Sequence, residues 1–257
     1  MTETSQRHAA ILELARHENH VGVEALAAHF AVSVQTIRKD LNQLCEQRLL
    51  TRVHGGATLP SGVENLEYEA RRRIAADAKT AIGAAAAALI PNDASLFINI
   101  GTTTEAVSQA LLDHAGLMIV TNNINVANRM RVYPRFEVII AGGVVRPSDG
   151  GIVGEAAAGF FSQFKVDYAI IGASALDEHG TLLDYDYREV KVAQAIIANA
   201  RQVILVADHS KFKRSAPVRI ASIDQLDTFV TDIAPFPAFR EMCVASGIKL
   251  VEACAPN

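Results

Sequence analysis

The sequence predicts two domains of different class: a small helical domain with a basic hairpin, followed by a larger, mainly parallel α/β domain. Three observations carry this reading. Apolar positions recur at helical spacing in three short segments within the first 57 residues. Beyond about residue 76, short β-rich runs ending in Gly, Asn, Thr or Asp alternate with Ala-rich helical segments. Between the two lies Leu59-Pro60-Ser61-Gly62, a turn-rich junction, and then a polar stretch holding Arg71, Arg72 and Arg73. The expected boundaries are residues 1–58 for the first domain, 59–75 for a linker and 76–257 for the second domain.

In the first domain, Arg7 to Glu18 carries Ile11, Leu12, Leu14 and Ala15 at helical spacing, which predicts one amphipathic helix. Val23 to Phe30 supplies a short second helix with Leu26, Ala27 and Phe30 on its apolar side. Ala31-Val32 makes a tight corner, after which Ser33 is placed as an N-cap for a third helix running to about Gln47. Ile37, Leu41 and Leu44 fall four and three apart and share the packing face of that helix. Its other side displays Gln35, Thr36, Arg38, Lys39, Asn42 and Gln43. Two short helices joined by a sharp turn, the second polar and basic in its first half, are what a helix-turn-helix requires. Residues Arg48 to Thr58 then read as two short strands around a basic tip, a wing suited to backbone or minor-groove contact through Arg52 and His54. Asp40, acidic in mid-helix, is better placed to orient a basic neighbour or tie to the wing than to face phosphate.

Charge supports this placement. The whole chain carries a formal net charge of -4, which excludes a generally cationic coat but not a local basic patch. From Val34 to Gly56, Arg38, Lys39, Arg48 and Arg52 stand against only Asp40 and Glu46. A small helical domain can carry a few Arg and Lys on a solvated face without touching DNA, so periodicity and charge leave both readings open.

The stretch from Val32 to Ala57 resembles the DNA-binding signature of the DeoR-type repressors, most diagnostically at Ser33, Thr36 to Leu41 and His54-Gly55-Gly56-Ala57. The resemblance implies a winged helix-turn-helix on double-stranded operator DNA, with Ser33, Gln35, Thr36, Arg38 and Lys39 at the major groove.

The remaining composition sets limits. Cys45, Cys243 and Cys254 lie far apart with no CxxC pair, so no disulfide framework is expected and a reducing cytoplasm is the simplest compartment. The opening MTETSQRHAA is not a signal peptide. The longest apolar run, Ala81 to Ile90, is broken by Gly83 and closed by Pro91, and reads as a buried helix rather than a membrane span. No His, Cys, Asp or Glu cluster has metal-ligand spacing, and no metal or cofactor is expected.

In the second domain five segments read as strands: 95–100, 118–121, 137–140, 168–172 and 202–207, with 228–231 and 249–252 completing or edging the sheet. Helical segments lie between them, at 104–114, 125–131, 155–161 and 188–200. Such alternation predicts a mainly parallel sheet covered on both faces. Ligands gather at the carboxyl ends of such strands. After the first strand stand Gly101, Thr102, Thr103 and Thr104, directly before a helix; after the second, Asn122 and Asn123; after the third, Gly142-Gly143, Arg146 and Asp149; after the fifth, Asp208, His209, Ser210 and Lys211. Glycine, hydroxyls, helix amides and cations suit a polyhydroxy phosphate. A Gly-Thr-Thr turn also caps helices, Gly142-Gly143 also makes a tight turn, and Lys211 also suits a solvated surface. Their recurrence after successive strands is what points to a phosphate pocket.

This domain is similar to the effector domain of the same repressors, whose fold resembles ribose-5-phosphate isomerase and glucosamine-phosphate isomerase. The resemblance runs from Arg7 through at least Asp232. It implies a phosphate loop at Gly101–Thr104 and a sugar-phosphate site at Asp208–Phe212 with Glu189 and Lys191. The segments Asp149–Glu155, Tyr185–Val190 and Thr121–Asn128 point, within the family, to glycerol 3-phosphate as the inducer and to glycerol uptake and catabolism as the regulated genes. Another sugar phosphate is the alternative. An active isomerase is a further one, with Glu189 and Lys191 as candidate acid–base groups. Against it, the isomerases carry an acidic motif where this chain has Gly172-Ala173-Ser174, so no catalytic residue is expected. One helix-turn-helix reads few base pairs, so a dimer or tetramer is expected. Arg71–Arg73 read as a solvated linker in preference to a DNA-attracting patch.

Overall fold

Apolar residues three and four apart build the N-terminal helices α1 (Glu3–Glu18), α2 (Val23–His29) and α3 (Val34–Glu46). The structure is a computed structural model that describes residues 3–18, 20–47, 49–53, 55–58, 68–233 and 236–253. The chain divides into two units, residues 1–66 and 67–257. In the first unit, Ile11, Ala15, Leu26, Ile37, Leu41, Leu44, Leu50 and Ala57 form one buried cluster. The wing strands β2 (Thr51–Val53) and β3 (Gly56–Thr58) pair antiparallel. They are joined by β1 (His20–Gly22), which adds on the far side of β3. A three-residue strand is too short for alternation to register, which is why β1 is not legible in sequence.

The second unit opens with α4 (Tyr68–Arg73) and α5 (Ala76–Ala87). It continues through β4 (Ser95–Ile98), α6 (Thr102–Ala110), β5 (Met118–Thr121), α7 (Ile124–Met130) and β6 (Glu137–Ile140). A hairpin of β7 (Val144–Val145) and β8 (Ile152–Val153) leads into α8 (Glu155–Phe161) and β9 (Val166–Ile171). Then come β10 (Ala175–Leu176), β11 (Thr181–Asp184), α9 (Tyr187–Ala198), β12 (Ala200–Val206) and β13 (Val218–Ser222). β14 (Thr228–Thr231), α10 (Pro237–Ala245) and β15 (Lys249–Glu252) close the unit.

Seven of these strands form a parallel sheet in the order β15-β14-β12-β9-β4-β5-β6. Both faces are buried, and alternate residues feed opposite layers. Phe97, Ala169, Ile171, Val203 and Leu205 pack on one side. Leu96, Ile98, Ile170, Ile204 and Val206 pack on the other. From β4 the chain winds outward through β5 and β6, then returns to the other side of β4 with β9 and winds outward again. The crevice at such a reversal is where α/β sheets hold ligands. On the face lined by Leu96, Ile98 and Ile170, α5 and α6 cross closely: a Cβ on Gly83 would stand 2.7 Å from the carbonyl of Ala106.

Within the segment expected to be a linker, residues 59–75, the structure shows a helix, α4, at Tyr68–Arg73. α4 belongs to the second unit, and its Tyr68 hydroxyl donates to Glu105 Oε2 at 2.7 Å. Arg71 is therefore not a solvated linker charge; its side chain is largely buried and pairs with Asp149 at 3.0 Å. Polar contacts with residues far along the chain hold α4 in place, and local composition cannot reveal these. Among the described residues no helix is long and apolar enough to cross a membrane.

Candidate functional site

Two surfaces carry the chemistry. On the first unit, α3 starts where its sequence dictates. Ala31 adopts a left-handed φ of 51°, turning the chain after α2. Ser33 Oγ then accepts from the Thr36 amide at 3.1 Å. Ser33 Oγ also lies 2.9 Å from Thr36 Oγ1, so these two hydroxyls set the helix start against each other. Gln35, Arg38 and Lys39 project from the exposed face of α3, Thr36 is half-buried, and Arg52 is exposed on β2. His54 and Arg48, also assigned to the wing, lie outside the described residues. Asp40 is buried on the opposite face and ties to α1 rather than to the wing: Arg7 Nε donates to it at 2.7 Å, and His8 Nε2 stands 3.1 Å away. Burial would raise the Asp40 carboxyl, but the bonds from Arg7 and His8 outweigh it and hold the group below the ordinary carboxylate value.

On the second unit, a cleft of about 360 Å³ counted out to its open mouth lies at the carboxyl ends of β4 and β9. One wall is Gly101, Thr102, Thr103 and Thr104 at the N terminus of α6; another is Gly172, Ala173 and Ser174 after β9; Lys211 enters from the turn after β12. Gly101 takes φ +150°, and a Cβ there would meet Thr104 Oγ1 at 3.3 Å, so this corner favours glycine. Thr104 spends its hydroxyl on the carbonyls of Asn99 (2.7 Å) and Gly101 (2.8 Å); it braces the loop, and its hydroxyl proton is not offered to the cleft.

The Lys211 side chain is buried, and among the described residues no acceptor is hydrogen-bonded to its ammonium. Burial drives its pKa down to about 7, with nearby Arg214 adding to the fall and Asp208 opposing it. Lys79, also buried, is pushed down to about 8 by burial, again against the pull of Asp208. Cations held in this way are short of negative charge. An anion entering the cleft would supply it.

The structure brings together Gly101, Thr102, Thr103, Thr104, Glu189 and Lys211 around the cleft. Asp208 sits beneath it, capping the following turn through the Ser210 amide at 3.0 Å. Arg146 and Asp149 stand one step behind. Arg146 reaches Asp149 (2.7 Å), Glu189 (2.5 Å) and Asp186 (3.1 Å), so it orients the acidic wall. Burial and nearby Asp184 push the Glu189 carboxyl up to about 8 although Arg146 opposes them. Besides Asp208, Arg146 and Asp149, three more expected residues do not line the cleft. Lys191 is exposed and pairs with Glu155 at 2.5 Å, because two steps along α9 turn it roughly 200° from Glu189. Asn122 is buried and donates to the Ile152 carbonyl at 3.0 Å, fastening β8. Gly143 lies exposed in the turn between β6 and β7.

Comparison with known proteins then decides the assignment. The DeoR C terminal sensor domain family matches residues 74–233, and the DeoR-like helix-turn-helix domain family matches residues 7–63. The chain is 50% identical to the Glycerol-3-phosphate regulon repressor of Escherichia coli K12, covering 96% of this chain and 98% of that one. The chain belongs to the DeoR family of transcriptional repressors. The repressor is also 49% identical to the Glycerol-3-phosphate regulon repressor of Haemophilus influenzae, over 90% of each chain. To the HTH-type transcriptional repressor CsqR of Escherichia coli it is 39% identical, over 95% of this chain and 94% of the other. Among solved structures it is similar to ribose 5-phosphate isomerase from Plasmodium falciparum, at a TM-score of 0.39 and 11% identity over 52% of each chain.

The relatives are named as transcriptional regulators, and they bear on the expected lack of catalysis more than the turn after β9 does. Gly172-Ala173-Ser174 does line the cleft, but Asp184 and Glu189 bring carboxylates to it from β11 and α9. Sequence reasoning missed Asp184, Ser174, Lys79, Arg214 and the role of Arg71. Ser174 Oγ donates to Asp184 at 2.8 Å, a contact across ten residues that spacing alone does not announce. The signal for Arg71 was the Arg71–Arg73 run, but only the fold distinguishes Arg71, which lines the cleft, from Arg72, which is exposed.

Proposed function

We propose that this repressor controls glycerol-3-phosphate metabolism genes and leaves its operator when glycerol 3-phosphate occupies the cleft of the second unit. The observation that carries the reading is that the buried Lys211 side chain, without a hydrogen-bond acceptor among the described residues, shares the cleft with Thr102, Thr103 and Thr104 at the N terminus of α6. A phosphate there would meet a cation and helix amides whose dipole favours negative charge. Thr103, which lines the cleft, supplies a hydroxyl, and the acidic wall of Asp184 and Glu189 suits the hydroxyls of the glycerol moiety. Two relatives of about half identity are named for the same regulon.

On the DNA side, Gln35, Thr36, Arg38 and Lys39 read the major groove, with Arg52 on the flanking backbone. Ser33 contributes through its cap. The active species is a homo-oligomer, a dimer or tetramer, whose paired reading helices match operator half-sites. Ligand need differ in affinity between the bound and released arrangements by only about 3 kcal/mol to weaken operator binding a hundredfold.

The test is a titration of fluorescently labelled promoter fragments from glycerol-metabolism genes, with and without glycerol 3-phosphate, ribose 5-phosphate and glucosamine 6-phosphate. Release by glycerol 3-phosphate alone is the expected result. Release by a longer sugar phosphate in its place overturns the effector assignment. No sequence-preferring binding overturns the DNA assignment.

A further inference from the structure

We propose that Arg71 is an effector-contacting residue, and that a bound anion draws its guanidinium from Asp149, loosening the helix that leads from the DNA-binding unit. This deepens the effector reading above and rests on it.

α4 holds no buried residue, so its place on the second unit depends on polar contacts. Tyr68 donates to Glu105 and accepts from Asn125 Nδ2 at 3.0 Å. Arg71 Nη2 donates to Asp149 Oδ2 at 3.0 Å. Lys79 Nζ donates to the main-chain carbonyls of Arg71 and Ile74. Of these, only Arg71 also lines the cleft, together with Thr102, Thr103, Thr104 and Lys211. Its Nε is buried without a partner among the described residues, so the guanidinium has donor capacity that they leave unused.

The partner it would leave is prepared for the loss. Asp149 already accepts two bonds from Arg146, at 2.9 and 2.7 Å, and a third from the Gly151 amide at 3.2 Å. A buried carboxylate stripped of its only cation is costly. Asp149 keeps a bidentate one, so Arg71 can move to a phosphate without orphaning it. Few covalent steps separate this event from the first unit, whose boundary falls at residue 66 while α4 begins at Tyr68. Ligand occupancy is thereby converted into a change in the helix next to the junction. The coupling is a competition of one arginine between a carboxylate and a phosphate.

The experiment uses the full chain, with calorimetric titration of glycerol 3-phosphate and of inorganic phosphate, and hydrogen exchange of the peptide spanning Tyr68–Arg73. Arg71→Ala is expected to weaken glycerol 3-phosphate binding by about tenfold or more, with Arg71→Lys restoring part of it. Asp149→Asn keeps the shape and frees Arg71, so it should bind glycerol 3-phosphate at least as tightly as wild type. In wild type the ligand should raise exchange in α4, and in Arg71→Ala it should not. If Arg71→Ala binds like wild type while Lys211→Met has lost binding, the proposal falls and the effector reading stands. Equal weakening in Arg71→Ala and Asp149→Asn shows Arg71 to be a tether only, and also overturns it. If wild type binds neither probe, or Lys211→Met binds as wild type does, the effector reading itself fails and the proposal with it.

Discussion

The Arg7 guanidinium of α1 donates to the Asp40 carboxylate of α3 at 2.7 Å across 33 residues, fastening the back of the reading helix while its front stays exposed. His8 adds a second donor-capable ring nitrogen at 3.1 Å. Asp40→Ala leaves Arg7 and His8 partly buried with a lost partner. The expected outcome is a loss of about 1–3 kcal/mol in the stability of the first unit, read by urea unfolding. Operator affinity should fall with it, while glycerol 3-phosphate binding by the second unit is unchanged. An unaltered urea midpoint for the first unit would show the contact to be idle.

The exposed face of α3 predicts a division between positioning and reading. Arg38→Ala and Lys39→Ala should each weaken operator binding without disturbing the fold, since both side chains are exposed. A residue that contacts phosphate should lower the salt slope of binding by about 1 and weaken all sequences alike, whereas one that reads a base should relax preference at one operator position. Fluorescence anisotropy over a range of potassium chloride concentrations separates the two outcomes.

Lys211→Met keeps the length of the side chain and removes its charge. Because the wild-type ammonium is buried, the substitution should not destabilise the second unit, and thermal stability should hold or rise. Operator binding should persist while release by glycerol 3-phosphate is lost over the concentrations that free wild type. Retained release would show that the anion does not use this cation.

Effector affinity should fall as pH rises above neutrality. Lys211 titrates at about 7 in the empty cleft, and a bound phosphate favours its charged form, so the bound-state pKa is higher. The contribution of this charge is full below about 7 and is lost as pH climbs through the bound-state value. Glu189, held up to about 8 by burial and Asp184, adds negative charge to the same cleft as it ionises and pushes in the same direction. Titrations at pH 8 in buffers of different ionisation enthalpy should register proton uptake on binding. Affinity that rises steadily from pH 7 to 9 would contradict the assignment of both groups.

The layout of the molecule was readable from the chain alone because its signals are local. Ile37, Leu41 and Leu44 mark one face of α3, Ser33 caps it, and the strands 118–121, 137–140, 228–231 and 249–252 form over those very residues. Hydrophobic periodicity and capping act within a few residues, so sequence suffices to state them. The loop at Gly101–Thr104 was legible for the same reason: it is a strand end running into a helix. What the fold alone decided is which polar residues converge. Glu189 faces the cleft and Lys191 turns away, although both are polar and two positions apart. Arg71 and Asp149 meet across 78 residues, and Ser174 finds Asp184 through the turn of a hairpin. Electrostatic partners are chosen by distance in space and by burial, and neither quantity exists until the sheet has placed its strand ends side by side.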